Sequence, residues 1–231
     1  MYPLDKIPFP KLHPRDGYKP HPWVETLDGV IGQDHFFDTE EERLRAIAAY
    51  MGLCSFVDAE VGLVLDALRD NDFEDDTRVI YTSDHGDNLG ARGLWGKSVL
   101  YEESTRIPMI VSGPDVPKGK TSKTPVTLLD IHQTAVTGLG HALQDADAEL
   151  SGRSLFELAT SLDDTDRLVT SEYHAMGAPT SAFMLRQGDW KYHYYESYAP
   201  ELFNIGDDPE ELDDRADNPS VKSVLDGFEE T

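Results

Sequence analysis

Cysteine is nearly absent. Cys54 stands alone in 231 residues, so no disulfide closes within the chain and no cysteine-based zinc site can be assembled. Basic residues are also scarce: 20 Lys and Arg face 44 Asp and Glu, a formal charge of −24. Without a basic stripe the chain has no surface for tracking nucleic-acid phosphates. No apolar run approaches the roughly 20 residues that span a bilayer, so no membrane partner is expected. Met1–Lys6 has neither a basic n-region nor an apolar h-region. No signal peptide is read there, and the compartment, cytoplasmic or periplasmic, stays open. What is present, 39% hydrophobic residues with 10% aromatics, suffices for a real core and excludes disorder throughout.

Pro3, Pro8, Pro10, Pro14, Pro20 and Pro22 crowd residues 1–38, which read as an irregular lead-in. A helix follows. Asp38 or Thr39 caps it, Glu40–Glu42 occupy the first turn where the macrodipole favours anions, and an apolar face runs from Leu44 to Leu68. Cys54 is expected to be buried on this helix. Arg78–Thr82 is a β-branched strand that breaks at Ser83-Asp84-His85-Gly86. A second strand is expected at Pro108–Val111 and a helix around Leu128–Thr137, ending at Gly138-Leu139-Gly140. Beyond Asp145 shorter elements follow, with strands at 167–171, 182–185 and 190–194 and a last helix at 219–228. The acidic clusters, such as Glu210–Asp214, read as solvated loops.

The densest polar constellation is Thr82–Lys97, TSDHGDNLGARGLWGK. In a continuing strand Asp84 and His85 would point to opposite faces, but Gly86 permits a turn that brings both toward one point. They could then form a metal-ligand pair, or Asp84 could cap a turn while His85 packs as a core histidine. The four glycines admit a ligand close to the backbone, and Lys97 supplies an anion partner. Gly113–Thr121 is not a P-loop, because its glycine spacing is wrong and Pro114 and Pro117 lack the N–H groups that cradle phosphate. The alternating ligands of an EF-hand are missing at 84–88.

The run YTSDHGDNLGARGLWGKSVLYEE (81–103), with TRIPMIVSGP, TPVTLLDI, SEYH, WKY and LFN further on, resembles the sulfatases of the alkaline phosphatase superfamily. The likeness is to their C-terminal half, nearest the choline-sulfatase-like and phosphonate-monoester-hydrolase-like members. It implies an α/β fold: the C-terminal part of an α/β/α sandwich over residues 1–160, and a small α+β subdomain with an antiparallel sheet over 161–231. It also implies hydrolysis of sulfate esters, with phosphonate or phosphate esters as the alternative, and Asp84 and His85 as ligands of one divalent cation. That cation would be Ca²⁺ by resemblance, with Mn²⁺ favoured by the imidazole nitrogen. Lys97 would bind the oxyanion, Trp95 would pack the loop, and His174 would contact substrate.

The family nucleophile, a formylglycine made in a C-x-P-x-R motif, has no counterpart. Cys54 lies in Leu53-Cys54-Ser55-Phe56-Val57. Residues 1–16 resemble the stretch that follows a central histidine of the family. The chain is therefore expected to begin within a domain, with the formylglycine in a preceding half, and to be inactive alone; a non-catalytic sulfatase-like domain is the remaining reading. Expected partners are a small-molecule ester and further copies of the chain.

Overall fold

The structure, a computed structural model, describes residues 2–231. Contrary to the irregular lead-in expected over 1–38, residues Pro22–Ile31 form helix α1. Proline is a good first helical residue, since its missing N–H would be unbonded there anyway, and the His21 ring accepts from Trp23 N at 3.2 Å to cap the turn. Trp23, Val24 and Leu27 of α1 are fully buried, so the lead-in supplies core.

Helix α2 covers Glu40–Asp70 and starts with a capping box, Glu42 N donating to Thr39 Oγ1 and Thr39 N to Glu42 Oε2. Ile47 is its one buried residue, while Leu53, Phe56, Leu63 and Val64 are all more than 60% exposed. Cys54 is exposed, not buried as expected, because it lies on the outer part of a helix that the described residues cover on one side only. A second correction concerns length. An 18-residue window of α2 averages 1.5 in hydropathy, so the helix is long and apolar enough by composition to cross a membrane. Asp58 and Glu60 interrupt the run and hid this from a search for continuous apolar stretches.

Strands β1 (Val79–Thr82) and β2 (Met109–Ser112) pair antiparallel, joined through the polar loop and the short helix α3 (Glu102–Thr105). Helices α4 (Asp130–Gly138) and α5 (Leu155–Thr160) follow and pack on each other. The Asp130 carboxylate, fully buried, accepts from Thr127 N, Arg153 N and both terminal nitrogens of Arg167, which fastens α4 to the next layer.

That layer is an antiparallel sheet in the order β3 (Val169–Tyr173), β4 (Ala182–Gln187), β5 (Trp190–Tyr195), β6 (Glu201–Asn204). One face, with Ala182, Met184, Tyr195 and Phe203, packs on α1 and on Leu94 and Val99–Tyr101. The opposite face packs Tyr192 and Leu202 against Phe228 of α6 (Lys222–Glu229). The larger core therefore draws on residues both before and after 160. It also pins the segment that leaves the polar loop.

Candidate active site

The loop 83–98 leaves β1 at the mouth of a cleft of about 1250 Å³, whose walls include Asp84, His85 and Lys97 and residues of β3 and β4. Gly86 performs the turn that the sequence suggested. A β-carbon there would run into the Glu103 carbonyl oxygen, and Gly86 N donates to Ser104 O at 2.9 Å. His85 Nδ1 lies 2.7 Å from Gly86 O, and since a carbonyl only accepts, Nδ1 carries the proton. The Nε2 lone pair is thereby free. It accepts from Lys97 Nζ at 2.7 Å, and Asp84 Oδ2 lies 3.4 Å from the same nitrogen. The Lys97 ammonium and the Asp84 carboxylate thus both reach His85 Nε2, and the ring has the orientation typical of a metal-binding histidine whose second nitrogen is held by a carbonyl. Among the described residues no group of three or more His, Cys, Asp or Glu could hold a metal. Asp84 and His85 fit a divalent cation in donor type and spacing, as a partial set.

Lys97 is held in place by the neck of its loop. Asp87 Oδ1 accepts from Leu89 N at 2.9 Å and Gly96 N at 3.1 Å. Gly96 O in turn accepts from the Asn88 backbone N at 2.7 Å and from Asn88 Nδ2 at 2.8 Å. Between neck and tip the backbone is left-handed at Leu89, Gly90, Arg92, Gly93, Gly96 and Ser98. Arg92 is 1% exposed; it donates to Glu103 Oε2 and to the carbonyls of Glu210 and Glu211, and lies over the Tyr101 ring.

The proline-rich segment braces the same loop from outside. Arg92 N donates to Lys11 O at 3.0 Å, Pro10 packs on Gly90, and Pro14 packs on Gly93. Asp34 joins the two: its carboxylate receives Arg43 Nε and Nη2 at 2.8 and 2.7 Å, Trp95 Nε1 at 3.0 Å, and stands 3.3 Å from His13 Nε2. Burial alone would raise the Asp34 carboxyl, but the hydrogen bonds from Arg43, Trp95 and His13 outweigh it and hold the group at about 2. Trp95 packs the loop, with Phe37 against its ring.

Behind the loop lies a buried charged network that sequence reading missed. Lys191, fully buried, bonds Glu102 Oε1 at 2.9 Å and Thr105 Oγ1 at 3.1 Å and stands 2.8 Å from Glu211 Oε1. Glu201 accepts from Tyr101 and Tyr195 hydroxyls and lies 3.3 Å from His193 Nδ1. Desolvation would raise Glu201; the His193 hydrogen bond and charge overcome it and hold the carboxyl below its ordinary value. Burial pushes both tyrosine hydroxyls well up, so they act as hydrogen-bond donors. The alternation of Lys191, His193 and Tyr195 on one face of β5 was the available signal.

His174 stands just beyond β3, 3.0 Å from Glu172 Oε2 and edge-on to Phe183. The cleft is lined by its neighbours Glu172 and Tyr173.

A sulfatase family model matches residues 18–141, and a model for the C-terminal region of N-sulphoglucosamine sulphohydrolase matches 90–231. The chain belongs to the sulfatase family.

It is 35% identical over 185 residues to the choline-sulfatase of Rhizobium meliloti (strain 1021), covering 80% of this chain and 36% of that protein. Arylsulfatase K of Danio rerio is 34% identical over 227 residues, covering 94% of this chain and 41% of the relative. A phosphonate monoester hydrolase from Silicibacter pomeroyi superposes over the whole chain and 50% of its own length, with a TM-score of 0.85 at 24% identity. That likeness bears out the alkaline-phosphatase-like α/β fold expected from the sequence. The chain thus spans between a third and a half of the length of the curated relatives it matches.

Proposed function

We propose that Asp84, His85 and Lys97 form the cation- and oxyanion-binding part of a site for hydrolysis of sulfate esters. The observation that carries this reading is the approach of Lys97 Nζ and Asp84 Oδ2 to His85 Nε2, at 2.7 and 3.4 Å, at the cleft mouth. Membership of the sulfatase family supports it. Asp84 and His85 would hold the divalent cation, Ca²⁺ by family likeness and Mn²⁺ by the nitrogen donor; when bound, the cation polarises an ester oxygen. Lys97 binds the anionic sulfuryl oxygens and neutralises charge that develops on them, which counts most in a site with fixed geometry. His85 is kept in one tautomer by Gly86 O, and the Asp87–Asn88 neck holds the ammonium on target. His174 stays a candidate substrate contact through Glu172.

The nucleophile is not supplied by these 231 residues, because no C-x-P-x-R segment occurs in them. The chain alone therefore turns over negligibly, and the site works only when a nucleophile and further ligands are brought to it. A phosphonate or phosphate ester hydrolase is the second reading, favoured by the 0.85 TM-score neighbour.

Titration of the chain with Mn²⁺ and Ca²⁺, followed by His85 imidazole resonances, tests the cation role. Saturable broadening by Mn²⁺ at His85 that is lost in Asp84→Asn is the expected result. Metal-insensitive His85 resonances would refute the role. Sulfate should bind the wild-type chain and not Lys97→Ala.

A further inference from the structure

Contrary to the solvated loop expected at Glu210–Asp214, Glu211 is only 2% exposed, and its backbone is left-handed with a φ of 53°. A non-glycine residue keeps that conformation where its surroundings over-determine it. The segment is fastened on both sides of Glu211: Asp208 Oδ2 accepts from Leu212 N and Asp213 N, while Leu202 of β6 donates to Asp214 Oδ1 and accepts from Arg215 N. From there Glu211 reaches three parts of the molecule. Its Oε2 accepts from Glu102 N at 2.6 Å, its Oε1 stands 2.8 Å from the buried Lys191 ammonium, and its carbonyl accepts from Arg92 Nη2 at 2.9 Å. Tyr101, the residue before α3, supplies no side-chain cap, so the Glu211 carboxylate takes the first amide of that helix.

Helix α3 is in turn the support of the polar loop. Gly86 N donates to Ser104 O at 2.9 Å, and Asn88 Nδ2 donates to Ser104 Oγ at 3.3 Å. The carbonyl of Gly86 holds His85 Nδ1, and Asn88 holds Gly96 O beside Lys97. We infer that Glu211 is a positioning residue for the candidate site. Braced by Lys191, it fixes α3 and the Arg92 tip, and through Ser104 it sets the turn at His85 and the neck at Lys97. The carboxylate is required in kind as well as in shape. It accepts from Glu102 N and from Lys191 at the same time, whereas an amide accepts on one side and turns its N–H groups toward the other donor. Only the anion-binding consequence rests on the reading of Lys97 as the sulfate-binding group.

The test compares Glu211→Gln, Glu211→Ala and Leu158→Ala with the wild type in the full chain, by the ¹⁵N signature of the His85 ring and by the affinity for inorganic sulfate. Leu158 is buried in α5 and takes part in none of these links, so its truncation controls for lost packing. In Glu211→Gln the single Nδ1–H tautomer of His85 should give way to a mixture, and sulfate should bind about fivefold more weakly, the size of effect seen for changes along a contact path. Should Glu211→Ala fail to fold, Glu211→Gln decides. Combining Glu211→Gln with Ser104→Ala should weaken sulfate binding by less than the product of the two single effects, because both break one path. A His85 ring that keeps its single tautomer in Glu211→Gln, or that loses it equally in Leu158→Ala, would overturn the inference. If the wild type shows no Lys97-dependent sulfate binding, the site reading fails, and the His85 tautomer alone decides the role of Glu211.

Discussion

Replacing Asp34 by asparagine tests whether the proline-rich segment anchors the loop that carries Lys97. The carboxyl is held at about 2 against an ordinary 3.8, chiefly because its hydrogen bonds from Arg43, Trp95 and His13 overcome burial. At ~1.4 kcal/mol per pH unit, that drop corresponds to about 2–3 kcal/mol. The side chain is 21% exposed, so solvent screening reduces the expected contribution to about 1–2 kcal/mol.

The sign follows from the depressed value. The stabilisation is fully present above pH 3.8, about half of it persists near pH 3, and it disappears as the pH falls through 2. Urea denaturation of wild type and Asp34→Asn, read by tryptophan fluorescence, should show a gap of about 1–2 kcal/mol at pH 7 that shrinks between pH 4 and 3. Trp95 bonds Asp34 directly, so its emission should also shift in the variant. A gap that stays constant from pH 7 to 3 would show that the charge of Asp34 contributes nothing.

Other perturbations have distinct signatures. Lys191→Met leaves Glu102 and Glu211 without their buried cation and should cost about 3–5 kcal/mol in chemical denaturation, while adding Glu211→Leu should recover part of the loss. Asn88→Ala removes a buried donor to Gly96 O and should destabilise by about 1–3 kcal/mol, with sulfate binding at Lys97 weakened alongside. Gly86→Ala drives a methyl group into the Glu103 carbonyl; the displaced turn should release His85 Nδ1 from Gly86 O, visible as loss of the single tautomer in ¹⁵N spectra. Phe56→Gln with Leu63→Gln should lower binding of a hydrophobic dye while leaving the unfolding free energy unchanged within about 0.5 kcal/mol, because both side chains are already more than 60% exposed.

Regular periodicity and turn chemistry carried most of the fold in the sequence. Helix α2 with its Thr39 cap, the strand that ends at Asp84, and strands β2 to β5 all fall within a few residues of expectation. Helix α1 was hidden because Pro20 and Pro22 read as breakers, although proline at the first helical position begins a helix as readily as it ends one. Strand β6 was missed because Glu201 heads it and is polar; only the long-range partners Tyr101 and Tyr195 explain its burial. Of the candidate site, the turn at Gly86 was legible locally, and it is the carbonyl of Gly86 itself that fixes the His85 ring. Asp34 and Lys191 were not, because their partners lie 61 and 89 residues away at Trp95 and Glu102.

The distribution of strain links these observations. Leu89, Arg92 and Ser98 are non-glycine residues in left-handed backbone, each costing on the order of 1 kcal/mol, within ten residues that end beside Lys97. Such a loop keeps its shape only if surrounding contacts over-determine it. The buried Arg92, the Asp87–Asn88 neck and the Asp34–Trp95 bond supply those contacts from three directions. In a chain of charge −24, Lys97 is the one Lys or Arg among the described residues lining the cleft, and a mobile ammonium there would be screened or drawn to neighbouring carboxylates. The Asp87–Asn88 neck keeps that charge where an anion can meet it, independently of the His85 Nε2 lone pair that a bound cation would take. The rigidity of the loop and the acidity of the protein are therefore two sides of one requirement: the stronger the surrounding negative field, the more firmly Lys97 must be placed.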